Sequence, residues 1–120
     1  MIRQVSLALV LFTFAVSCVI TGPCENSPII EIPSTDSSVS AWVFVRDCGA
    51  TTARSTQVSI LDAGEDPPRG AGNAFIIDVE AQVVATWRES DRVIISYEEI
   101  GEVMKQESAI GAVSITYRAE

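Results

Sequence analysis

Three features of this 120-residue sequence predict a small all-β domain. It is expected to be a mostly antiparallel sheet (a meander, sandwich or open barrel) preceded by an N-terminal hydrophobic signal or anchor helix. After Ile29, apolar residues recur with the period of two that a half-buried strand requires, and helical periodicity is almost absent. Clusters of Pro, Gly, Ser and Asp break those runs about every 10–14 residues, the spacing of small antiparallel folds. The opening of the chain is different in kind, an uncharged apolar stretch behind a single arginine.

Met1 to Gln4 supplies that charge at Arg3, and Val5 to Ile20 is apolar up to Thr21-Gly22-Pro23. These are the n-region and h-region of an export signal. Three forms stay open. Phe14-Ala15-Val16-Ser17 ahead of Cys18 suits a lipoprotein-type site, with Cys18 as the acylated residue. The run from Val5 to Gly22 reaches the roughly 18 residues at the lower edge of a membrane span. Cleavage after Ser17 would use Ala15 and Ser17 as the small residues. In each case residues 1–23 are signal peptide or anchor. Residues 24–120 then form one β domain outside the cytoplasmic membrane, in the periplasm or at the cell surface, touching the membrane only through its N-terminal segment.

That compartment decides the reading of the cysteines. With Cys18 acylated or removed, Cys24 and Cys48 are an even pair bracketing two strands, and in an oxidising environment such a pair is expected to bridge. A loop of that size stabilises the fold by about 3 kcal/mol in the chain-entropy model. The competing arrangement is one buried and one exposed thiol.

The strands follow in order. Ile29–Ile32 is short and stopped by Pro33, and Ser34–Ser38 has turn composition. Val39–Arg46 is apolar on both faces, as a central strand should be, with Trp42 and Phe44 on one side and Val43 and Val45 on the other. Thr56–Leu61 alternates with Val58 and Ile60 inward. Asp62–Gly72 is too rich in Pro and Gly for regular structure. Asn73–Val79 and Gln82–Arg88 are separated by only Glu80 and Ala81, so a tight hairpin and one long bent strand are both allowed. Arg92–Tyr97 places Val93, Ile95 and Tyr97 on one face. Val103–Lys105 and Ala112–Arg118 complete the domain.

Composition narrows function mainly by exclusion. With Arg3 in the leader, the rest of the chain sets 7 basic against 16 acidic residues, a net charge of −9. A surface so charged repels phosphate backbones, and no Lys/Arg cluster in the sequence opposes this locally. No nucleic-acid partner is expected, nor docking of the folded domain on an anionic membrane. The sequence contains no histidine. Ser-His-Asp and Cys-His catalysis and imidazole-based zinc sites are therefore removed. No cofactor, metal or catalytic residue is assigned.

The segment Arg46-Asp47-Cys48-Gly49-Ala50-Thr51-Thr52, continuing through Ser55-Thr56-Gln57-Val58-Ser59-Ile60-Leu61, is the least generic stretch. With Cys24-Glu25-Asn26, Gly72-Asn73-Ala74-Phe75-Ile76, Trp87, Asp91-Arg92 and Tyr97, it resembles an uncharacterised family of small exported bacterial proteins. The resemblance covers most of the chain after Gly22. It departs at Thr35-Asp36-Ser37, where that family more often has Pro-Asp-Gly, and between Val79 and Val83, where the family loop is usually longer. It implies export and a β fold, and no activity.

Asp47, Gly49, Thr51 and Thr52 are the candidate binding loop: an acid, two hydroxyls and a flexible glycine side by side. The same residues suit a turn in which polar side chains bond their own backbone. Cys48 as a nucleophile would need a neighbouring cation, and only Arg46 and Arg54 are near in sequence. Two acidic groups, Asp62/Glu65/Asp66 and Glu98/Glu99/Glu102, lack the spacing of a calcium loop and read as solvated surface. Of the aromatic residues Trp42, Phe44, Phe75, Trp87, Tyr97 and Tyr117, most read as core packing, with the tyrosine hydroxyls reaching an edge, and an aromatic ligand platform is the alternative. The expected function is that of a non-enzymatic binding module for an unknown envelope protein or component. A small carboxylate-based enzyme or metal-ion-binding protein is the alternative.

Overall fold

The computed structural model describes residues 24–50 and 52–120. The expected signal or anchor segment 1–23, the lipid-attachment candidate Cys18 and the loop residue Thr51 lie outside the described residues.

Among the described residues nine strands form two sheets. The first contains β1 (Glu25–Pro33), β2 (Val39–Asp47), β3 (Ser55–Asp62), β4 (Phe75–Ile77) and β7 (Val103–Gln106), in the order β1-β2-β3-β4-β7. The second contains β5 (Val83–Glu89), β6 (Arg92–Tyr97), β8 (Ala109–Ile110) and β9 (Val113–Ala119), in the order β5-β6-β9-β8. All pairs are antiparallel except β6–β9, which is parallel. Parallel neighbours need a crossover. Here the chain leaves β6, adds β7 to the first sheet, and returns through β8.

The sheets pack face to face over one core, making a sandwich. Ala41, Val43, Val58, Ile60, Phe75 and Ile77 come from the first sheet, and Val83, Ala85, Val93, Ile95, Tyr97, Val113 and Ile115 from the second. The inward positions expected at Val58, Ile60, Val93, Ile95 and Tyr97 are all buried. Phe75 stacks on both tyrosines, with ring centroids 4.9 Å from Tyr97 and 5.5 Å from Tyr117.

Two side chains tie the sheets together near their borders. Trp87 Nε1 on β5 donates to Ile32 O on β1 at 2.8 Å. Tyr117 Oη on β9 lies 2.6 Å from Glu107 O and 3.1 Å from Ala74 O, main-chain carbonyls beside β7 and β4.

Asn73–Val79 and Gln82–Arg88 form neither a hairpin nor one bent strand. β4 belongs to the first sheet and β5 to the second, and the chain crosses between them at Asp78–Gln82. Thr56 holds that crossing. Its hydroxyl accepts from Ala81 N at 2.9 Å and faces Val79 O at 3.0 Å. β2 is interior, as expected, and its second face is covered as well. Phe44 is fully buried outside the main core, on the face crossed by the Pro/Gly-rich segment 63–72.

Candidate functional site

The Cys48 turn and the strands around it are the most distinctive region, and the ladder geometry explains its residues one by one. β1 and β2 pair Glu25 with Asp47 and Asn26 with Arg46. One step beyond, Cys24 and Cys48 face each other with Cα atoms 4.0 Å apart and are joined as a disulfide. Directly opposed residues of a non-hydrogen-bonded antiparallel pair approach about this closely. The cystine closes the open end of the β1–β2 hairpin, whose other end is the Ser34–Ser38 turn. Cys48 is thereby consumed as a structural group.

The turn beyond it brings Asp47, Gly49 and Thr52 together. Gly49 has φ 120°, a conformation that L side chains rarely adopt. Asp47 Oδ1 accepts from Gly49 N at 3.0 Å, and Thr52 donates through N and Oγ1 to Gly49 O at 3.3 and 3.2 Å. These polar groups satisfy their own backbone. The other Asp47 oxygen lies 3.5 Å from Arg54 Nε, and Arg54 Nη1 reaches Glu80 Oε1 at 3.1 Å. Hydrogen bonding and charge from Glu80, followed by the charge of Asp47, raise the guanidinium pKa further. Arg54 therefore bridges the turn to the inter-sheet crossing, and is not aimed at the cystine sulfurs.

The polar residues of β3 play a larger part than the alternation of Val58 and Ile60 indicates. Thr56, Gln57 and Ser59 are all buried, because β3 is covered on both faces. Gln57 Oε1 accepts from Gly72 N at 2.7 Å, and Ser59 Oγ accepts from Asn73 N at 3.2 Å. Asn73 in turn bonds to both main-chain polar groups of Ile60. A Cβ added to Gly72 would sit 2.8 Å from Val58 O and 3.0 Å from Phe75 O, so only glycine lets this segment lie so close to β3.

Further along, the same segment is clamped from β1 and β2. Asn26 Nδ2 donates to Pro68 O at 2.8 Å and Gly70 O at 2.7 Å, while Arg46 Nη1 donates to Asn26 Oδ1 at 2.8 Å and Arg69 O at 3.1 Å. Segment 63–72 is thus a strap fastened across the outer face of the first sheet. The signal for this was present in the sequence: three polar residues in a strand flanked by apolar ones, followed by Gly-Asn.

Two open depressions flank the cystine. One, about 420 Å³, lies between β1 and the strap and is lined by Glu25, Asn26, Pro28, Asp66 and Arg69 among others. The second, about 320 Å³, is lined by Glu25, Ile29, Asp47, Arg54 and Glu80 among others. Both carry more carboxylates than cations. Among the described residues no group of three or more His, Cys, Asp or Glu side chains is placed to hold a metal ion. From the Glu98/Glu99/Glu102 group, Glu98 Oε1 accepts from Gln82 N at 2.5 Å and Glu102 N donates to Asp78 Oδ1 at 2.8 Å. These two residues pin the chain connections at that end of the sandwich.

A scan of protein-family models, a search of curated proteins and a search of solved structures each found no match to this chain.

Proposed function

We propose that this chain is an exported envelope protein that acts by binding, and that β5 is the strand through which it engages its partner. The Cys24–Cys48 disulfide is consistent with an oxidising, exported location. The apolar leader and the resemblance to small exported bacterial proteins support the same placement, with Cys18 as the point of lipid attachment.

The observation that carries the binding reading is the contrast among the four sheet edges. β1 contains Pro28 and Pro33 and a register shift between Pro28 and Ile30, devices that blunt an edge against further pairing. β8 has two residues, and β7 has four with a register shift against β4. β5 has seven residues, no proline, and regular pairing to β6 from Val83 to Trp87, its register shift falling at the end of the strand between Trp87 and Glu89. Its side chains alternate between buried (Val83, Ala85) and exposed (Val84, Thr86). It is the edge best suited to accept an added strand, a recurring mode of peptide recognition.

Hydrogen exchange on the full chain, with and without a solubilised envelope fraction, tests this. Added protection at Val83–Arg88 and none at Glu25–Pro33 is expected. Unchanged exchange along β5 would reject the reading. Intact mass of protein from its native membrane tests the tether: a diacyl- or triacylglyceryl adduct on a chain starting at Cys18 is expected, and an unmodified full-length chain would overturn it.

A further inference from the structure

We infer that the strand taken up at β5 is β5 of a second copy of this chain, paired antiparallel about Thr86. This rests on the edge-pairing reading and names its partner. Glu98 N donates to Gln82 O. By the alternation of an antiparallel ladder, Val84 and Thr86 then also turn their main-chain groups to β6, while Val83, Ala85 and Trp87 turn theirs to the open edge. A second β5 whose Thr86 faces Thr86 sets Ala85 against Trp87 and Val84 against Arg88. The Ala85–Trp87 pairs exchange main-chain hydrogen bonds, and the Thr86 side chains meet on the solvent face. Both copies offer the same patch about a two-fold axis, the commonest symmetry of soluble oligomers.

Charge is uneven along this edge. At one end stand Arg88 and Arg92 with Glu89 and Asp91 of the turn, and Arg92 Nε lies 4.0 Å from Glu89. At the other end Glu98 and Glu120 line the depression that holds Val84 and Ser96. Glu99 N donates there to Glu120 O, and Arg118 faces Ser96 from β9. Two basic side chains against two acidic ones leave the first end neutral, and one against three leaves the second at −2. Among the described residues Arg88, Glu98 and Glu120 make no ion pair. Antiparallel pairing sets Arg88 of each copy opposite Val84 of the other, toward Glu98 and Glu120. Parallel pairing would set the two acidic ends together. Opposite charges across strands stabilise and like charges destabilise. Beyond about 8 Å charge is screened at physiological ionic strength, so these contacts outweigh the acidity of the domain as a whole.

Apolar surface at the same border supports a strand there. Ile30 and Ile32 pair with Val43 and Ala41, so both lie on the core-facing side of β1. Trp87 of β5 reaches Ile32 O, which sets β1 over β5. Ile32 packs on the core, yet Ile30 is exposed, because β5 is the last strand beneath it. A second β5 extends that sheet under β1 and covers Ile30, and on the solvent face the Arg88 stem covers Val84, another exposed apolar side chain.

The test follows amide hydrogen exchange of the full chain in detergent micelles, at physiological ionic strength and rising protein concentration. The Val83, Ala85 and Trp87 amides are expected to gain protection as the chain is concentrated, with Glu25–Pro33 unchanged. Thr86→Lys and Thr86→Glu each bring like charges face to face on the two-fold axis and should each weaken the pairing about threefold. An equal mixture of the two variants should restore it, and unchanged amide shifts at Val93 and Ile95 report that both are folded. Protection that neither variant weakens, or that the mixture does not restore, would reject pairing about Thr86 and overturn the inference. Exchange at β5 that is independent of concentration, yet slowed by an envelope fraction depleted of this chain, would overturn the second copy and leave edge pairing standing. No added protection at β5 under either condition would overturn edge pairing itself.

Discussion

The Asn73 side chain pairs with the main chain of Ile60 as a strand residue would: Oδ1 accepts from Ile60 N at 2.8 Å, and Nδ2 donates to Ile60 O at 2.9 Å. Ile60 is only 4% exposed, so water cannot readily replace the amide. Asn73→Ala leaves a buried donor and a buried acceptor unpaired and is expected to destabilise the domain by about 2–3 kcal/mol. Urea unfolding should show a lower midpoint with an unchanged slope. A wild-type midpoint would mean that the strap does not depend on this pairing.

The Cys24–Cys48 bridge fastens the open end of an edge strand whose side chains are mostly exposed. Most of β1 is exposed, Ile29 and Ile30 being 58% and 51% accessible. Reduction is expected to lower stability by about 3 kcal/mol, and exchange should accelerate first over Glu25–Pro28. Equal melting temperatures with and without reductant would show that the bridge adds nothing.

How much of this was legible in the sequence depends on whether the information is local. Alternation at Val58/Ile60 and Val93/Ile95/Tyr97 reports a buried face, and both runs are strands with those residues inside. The Cys24–Cys48 pair was legible from its even count and from the export that the apolar leader leads one to expect. Pairing partners were not. Nothing local to Asp78–Gln82 says that β4 and β5 enter different sheets, because that choice is made by Thr56 and by long-range packing. The parallel β6–β9 pair is equally non-local. β1 starts at Glu25 and not Ile29, since a strand exposed on both faces has no hydrophobic period to read. Of the candidate loop residues, Asp47 and Thr52 turn inward on the backbone of Gly49, which a sequence of an acid, hydroxyls and a glycine does not tell apart from a binding loop.

Ser37 has φ 59°, in the left-handed region that favours glycine. A non-glycine residue there is disfavoured by about 1 kcal/mol, and part of that is offset by the greater freedom glycine has when unfolded. Ser37→Gly is expected to raise stability by about 0.5 kcal/mol, roughly 3 °C in Tm. A lower Tm would mean that the serine makes a compensating contact.

The same turn is pH-sensitive. Hydrogen bonds from Ser38 Oγ at 2.7 Å and Ser38 N at 3.0 Å, and then from Ser34 Oγ at 3.0 Å, hold the Asp36 carboxyl below its ordinary 3.8. A carboxyl lowered on folding stabilises the native state above its unfolded pKa, and that contribution is lost as pH falls through the folded value. The Ser38 amide shift should therefore titrate below pH 3.8. Asp36→Asn should flatten the acid limb of Tm against pH. A Ser38 titration at or above the ordinary value would contradict the hydrogen-bonded turn.

Tyr117 governs the alkaline side. Burial, followed by the charges of Glu107 and Tyr97, raises its pKa above the ordinary 10.0, and its hydroxyl faces two carbonyl oxygens that would repel a phenolate. A group raised on folding gives stability that is complete below its unfolded pKa and is lost as pH rises through the folded value. Stability should therefore fall above pH 10, with Tyr117 ionising only as the sheets separate. Tyr117→Phe should cost about 1 kcal/mol at neutral pH, and should weaken the decline above pH 10. An ultraviolet titration in which both tyrosines of the native protein ionise at the ordinary value would contradict this picture of Tyr117 as a clasp between the sheets.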